Sequence, residues 1–137
     1  APKVGAIVAL SPPGPMFDTI TAGSWQALAA PTLVTTGTWD VQPQFWPDWR
    51  MHLMSWETAL PWDKYALVVE GADHYLGNLI CRPEREGPPQ DDALRMVQLT
   101  TTAFLDAYVK GDEAAKAFLS SQQLTDTTGG FARLSRR

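Results

Sequence analysis

Three short apolar runs, spaced about thirty residues apart, carry the pattern of this chain. Val4-Gly-Ala-Ile-Val-Ala-Leu10 is continuous rather than alternating, as expected of a strand covered on both faces in a parallel sheet. It stops at Ser11-Pro-Pro-Gly-Pro15, a loop signal. Pro31-Thr-Leu-Val-Thr-Thr36 reads as a second buried strand, running into Gly37-Thr-Trp-Asp40 and a loop from Val41 to Pro47. Tyr65-Ala-Leu-Val-Val-Glu70 is the third, running into Gly71-Ala-Asp-His74.

Helical spacing fills the intervals. Trp25, Leu28 and Ala29 share one face of a short helix over Ala22 to Ala29, ended by Pro31. Asp48 is a candidate cap for a helix to about Ala59 that turns Trp49, Leu53 and Trp56 inward. After a loop rich in proline and glycine, Asp91 or Asp92 starts a long helix from about Ala93 to Lys110. Its apolar face holds Leu94, Val97, Thr101, Phe104, Leu105 and Tyr108, and Gly111 is its terminator. A last short helix covers Glu113 to Leu119. Residues 120–137 are polar, with Arg133, Arg136 and Arg137 at their end, and read as a solvated tail. The order β-α-β-α-β-α-α implies a parallel sheet with right-handed crossovers. Three strands leave two open edges. An apolar strand at an open edge needs a cover, which missing sequence or a second copy of the chain would supply.

Composition narrows the class. At 137 residues, 45% hydrophobic and 19% charged, the chain fits one soluble domain with no membrane span. A net charge of −4 and a pI near 5.0 argue against a nucleic-acid partner. The single cysteine, Cys81, provides no disulfide, and no cluster of histidine, cysteine and carboxylate has metal-ligand spacing. No cofactor or metal is expected, and the compartment stays unassigned.

In open α/β sheets, chemistry gathers at the carboxyl ends of the strands. The second strand ends near Asp40 and the third near His74. Adjacent parallel strands would bring the two together. A carboxylate that accepts from Nδ1–H fixes the histidine tautomer and frees Nε2 to act as a base. Asp73 is a second candidate partner for His74, or a turn former. His52, beside Arg50 on the predicted second helix, reads as a surface residue.

Pro31 to Asp40 resembles the strand and acid of α/β-hydrolases, and Gly71 to His74 resembles their histidine loop. The order acid, then histidine, with a helix between, is also that family's. Ala6-Ile-Val-Ala-Leu-Ser-Pro12 resembles the strand after the nucleophile elbow in dienelactone-hydrolase-like and chlorophyllase-like members. The helix holding Thr101 to Asp112 resembles their last helix.

This resemblance implies a partial α/β-hydrolase fold over residues 1–119, with about three parallel strands, flanking helices and completion by self-association. It implies Asp40 as acid and His74 as base. It supplies no nucleophile, because the G-x-S-x-G elbow is missing. Ser11 is a weak substitute, because Pro12 after it has no N–H to offer an oxyanion. Cys81 is weaker still.

Ser11, Trp39 and Trp46 are candidates for substrate contact. The tryptophans crowding the loop after Asp40 read either as an apolar wall for a ligand or as core and interface packing. Two functions follow. The first is a carboxylic ester or lactone hydrolase whose nucleophile comes from a missing amino-terminal half, a second polypeptide or a homodimer partner. The second is an inactive half-hydrolase that dimerises and binds a small apolar ligand or a protein.

Overall fold

The computed structural model describes residues 3–77, 79–80 and 88–137. Cys81 lies outside them. The apolar runs form β1 (Ile7–Leu10), β2 (Thr32–Gly37) and β3 (Lys64–Val69). These pair in parallel, with Ile7 opposite Thr32 and Thr32 opposite Lys64. Every residue of β2 and β3 is buried, which accounts for runs that do not alternate.

Odd and even positions of these strands point to different faces. Leu33, Tyr65, Leu67 and Val69 pack under the long helix, with Phe104, Leu119 and Leu124. Val34, Ala66 and Val68 face the other way, against Leu53, Trp49 and Trp56.

The sheet has four strands, in the order β1-β2-β3-β4, rather than three. Residues 120–137 are no solvated tail. They form α4 (Gln123–Thr127) and β4 (Ala132–Arg136), which runs antiparallel to β3. Ala132 and Leu134 are buried and alternate with Arg133 and Ser135. That is the period of a strand with one face covered. Arg133 reaches Glu70 Oε2 at 3.3 Å, and Arg137 donates to the carbonyls of Trp56 and Glu57.

Two helices depart from the periodic expectation. Ala22–Trp25 is a single 3₁₀ turn with no buried residue. A segment of that length without a buried face cannot sustain an α-helix. Asp48 does cap the second helix, accepting from the Arg50 N–H at 3.0 Å. The element begins as a 3₁₀ turn, Trp49–Leu53, and continues as α1 (Met54–Thr58).

The long helix, α2 (Asp91–Leu105), continues through a π turn at Asp106–Lys110 to a left-handed Gly111. Then α3 (Glu113–Ser120) starts on an Asp112 cap that accepts from the N–H groups of Ala114 and Ala115. No helix among the described residues is long and apolar enough to cross a membrane.

β1 differs from its neighbours. Its residues are half-buried, and Leu10 is exposed. The N–H groups of Ile7 and Ser11 donate to Pro31 and Thr35 of the β2 side, at 2.9 and 2.8 Å. By alternation, those of Val8 and Leu10 point to the open edge.

Candidate active site at the strand ends

The carboxyl ends of β2 and β3 are tied together by backbone. Thr38 N–H donates to Val69 O and Trp39 N–H to Ala72 O, both at 3.0 Å. The fit is so close that a Cβ added at Gly37 would stand 2.2 Å from Ala72 O and 2.5 Å from Ala72 Cβ. Gly37 therefore lets the loop bearing His74 lie directly on the turn bearing Asp40. Asp73 shapes that loop and is not the partner of His74. Its Oδ1 accepts from the N–H groups of Tyr75 and Gly77, each at 2.9 Å. Gln90 braces the same loop, accepting from Asp73 N–H and donating to Gly71 O.

Asp40 is fully buried. Its Oδ1 accepts from His74 Nδ1–H at 2.8 Å, the geometry expected for the pair. Its Oδ2 accepts from Thr36 Oγ1 at 3.0 Å and from the Ser11 hydroxyl. Burial pushes the Asp40 carboxyl up. The His52 and His74 imidazoles and the Ser11 hydroxyl that face it outweigh burial and hold it well below its ordinary value. With Nδ1–H committed to Asp40, Nε2 is the second nitrogen of the half-buried His74 ring.

His52 is not a surface residue. It is 2% exposed, and its Nε2 lies 3.3 Å from the same Asp40 Oδ1. At that distance Nε2 is near the carboxylate without meeting hydrogen-bond geometry. Nδ1 donates to Pro12 O at 2.9 Å. Burial lowers the His52 pKa, but Asp40 and the Pro12 carbonyl raise it further, above the usual histidine value. A signal was present in the sequence. At 100° per residue, His52 lies roughly 60° around the helix from Trp49, on the inward side.

Among the described residues, no hydrogen bond joins Ser11 to His74. The Ser11 hydroxyl donates to Asp40 Oδ2 instead. The Ser11 backbone is left-handed, with φ 46°, a strained conformation for a residue with a Cβ. Trp46 stands against both histidines, with ring centroids 5.6 Å from His52 and 5.2 Å from His74. Paired backbone bonds between Gln42 and Trp46 hold it there. Trp39 is 65% exposed. Trp49 packs on the sheet face instead.

The fold also assembles a ligand cluster that spacing along the chain did not show. One donor atom each from Asp40, His52 and His74 lies within 4.8 Å of the others. In the observed arrangement, Asp40 Oδ1 already takes the His74 proton directly and Oδ2 is filled by two hydroxyls. Both carboxylate oxygens are thus already engaged by side chains of this chain. No family model matches the chain, and neither the curated proteins nor the solved structures compared with it give a match.

Proposed function

We propose that this chain is the acid-and-base half of an α/β-hydrolase acting on carboxylic esters or lactones. The observation that carries the reading is the 2.8 Å bond from His74 Nδ1–H to a buried Asp40, at the ends of adjacent parallel strands. In this reading a serine from outside these 137 residues meets His74 Nε2. His74 takes the serine proton as the oxygen attacks the carbonyl carbon. The imidazolium then returns that proton to the departing alkoxide, leaving an acyl-serine. A water, deprotonated by the same nitrogen, attacks the acyl group and restores the serine. Asp40 stays ionised throughout, steadying the charge on His74. Trp46 and the exposed Trp39 would wall the acyl side of the substrate.

The open edge of β1 supports a second reading. Beside it, Val8, Leu10, Leu76, Ile80, Leu94 and Val97 line an apolar groove of about 310 Å³. A non-catalytic half-hydrolase would use this edge to self-associate and the groove to hold a small apolar ligand.

Ester hydrolysis separates the two. The protein is made as these 137 residues and, where its reading frame continues upstream, as the longer product, and p-nitrophenyl butyrate is the substrate. The hydrolase reading expects turnover from the longer product that falls roughly a thousandfold in His74→Ala. Turnover indifferent to His74, or none from the longer product, overturns it.

A further inference from the structure

We propose that His52 is a positioning residue that carries its second proton at neutral pH, an imidazolium set beside Asp40 that fixes the carboxylate against His74. The catalytic value of this device rests on the hydrolase reading. Its protonation and its effect on the Asp40–His74 contact do not.

Both ring nitrogens of His52 face oxygen. Pro12 O, 2.9 Å from Nδ1, is a carbonyl and can only accept, so Nδ1 carries a proton. The loop presenting that carbonyl is pressed onto the 3₁₀ turn of His52. A Cβ at Gly14 would stand 2.2 Å from Met51 O, so the contact is built into the backbone. On the other side, Nε2 lies 3.3 Å from Asp40 Oδ1. Without a proton, Nε2 would set an electron-rich nitrogen 3.3 Å from a buried carboxylate oxygen, with both side chains buried. With one, the contact becomes attractive.

The titratable groups facing the ring are Asp40 and, ring to ring at 5.9 Å, His74. Arg50, on the same turn, is exposed and paired with Asp48 at 3.3 Å. The remaining neighbours of the carboxylate, Thr36 and Ser11, are neutral hydroxyls. Asp40 and His52 thus form a buried ion pair, and both Asp40 oxygens are held before His74 is counted. The oxygen that receives His74 Nδ1–H is the one His52 faces.

The chain has two histidines, so histidine-labelled protein reports on each directly. In ¹⁵N spectra of His74→Ala at a pH of about 7.5, one unit above the ordinary histidine value, we expect both His52 ring nitrogens to be protonated. In the wild-type chain, the Nδ1 proton of His74 should give a downfield resonance from its 2.8 Å bond to Asp40. His52→Phe should abolish or broaden that resonance, and His52→Gln, which keeps an N–H donor, should retain it. An unprotonated His52 nitrogen at this pH overturns the proposal, as does a His74 resonance unchanged in His52→Phe. If His52→Phe does not fold, the His74→Ala spectrum still decides. Failure of ester hydrolysis alongside a doubly protonated His52 would remove the hydrolase reading alone.

Discussion

His52 and His74 approach the same oxygen of Asp40 and differ in what lies beyond. The His52 ring is buried, and its second nitrogen faces a carbonyl. The His74 side chain is 30% exposed, and its second nitrogen is left for a proton from elsewhere. On the readings proposed above, one residue type on one partner serves as a charge on the closed side of the carboxylate and as a base on the open side. The environment of the second nitrogen makes the difference.

The largest effect should come from removing the shared partner. Asp40→Ala strands the charge of His52 and the hydroxyls of Ser11 and Thr36, and should cost about 3–5 kcal/mol in urea unfolding. A loss below about 1 kcal/mol would mean that His52 is neutral. Acid adds a second check. The folded Asp40 pKa lies below its ordinary 3.8, so its contribution is present above pH 3.8 and is lost as pH falls through the folded value. Asp40→Ala should lack that part of the acid transition.

Next is the contact that brings the open side to the closed one. Gly37→Ala forces a Cβ onto the Ala72 backbone. It should cost about 1–3 kcal/mol and remove the downfield His74 proton, while leaving His52 protonated. Loss of both histidine signatures would mean that the two sides are not separable.

The smallest effect is one of pH. The folded His52 pKa lies above the ordinary 6.5. Its contribution is therefore complete below pH 6.5 and fades as pH rises through the folded value. Melting temperature measured from pH 6 upward should fall in the wild type and in His74→Ala, but not in His52→Gln. A fall that disappears in His74→Ala instead would reverse the assignment of the two rings.

The sequence exposed the open side better than the closed one. Buried parallel strands are written as unbroken apolar runs, so β2 and β3 were legible, and Asp40 and His74 follow directly after them. The contacts of the closed side join distant residues. Ser11 is 29 positions from Asp40, and Pro12 is 40 from His52, and no local pattern marks either. His52 was misassigned because the apolar face was drawn through tryptophan and leucine alone, although its angle belongs to that face. The strand β4 was hidden for a related reason. Ala-Arg-Leu-Ser-Arg does alternate, but its apolar letters are few and its charges suggested solvent.

The two flanks of the sheet are guarded unequally. β4 carries Arg133 and Arg136, side chains that discourage a further strand. β1 is Ile-Val-Ala-Leu, uncharged, with backbone donors turned outward. Lateral growth of this sheet therefore has a direction. A strand that continues it beside β1 would run next to Ser11, the residue that ties this edge to Asp40.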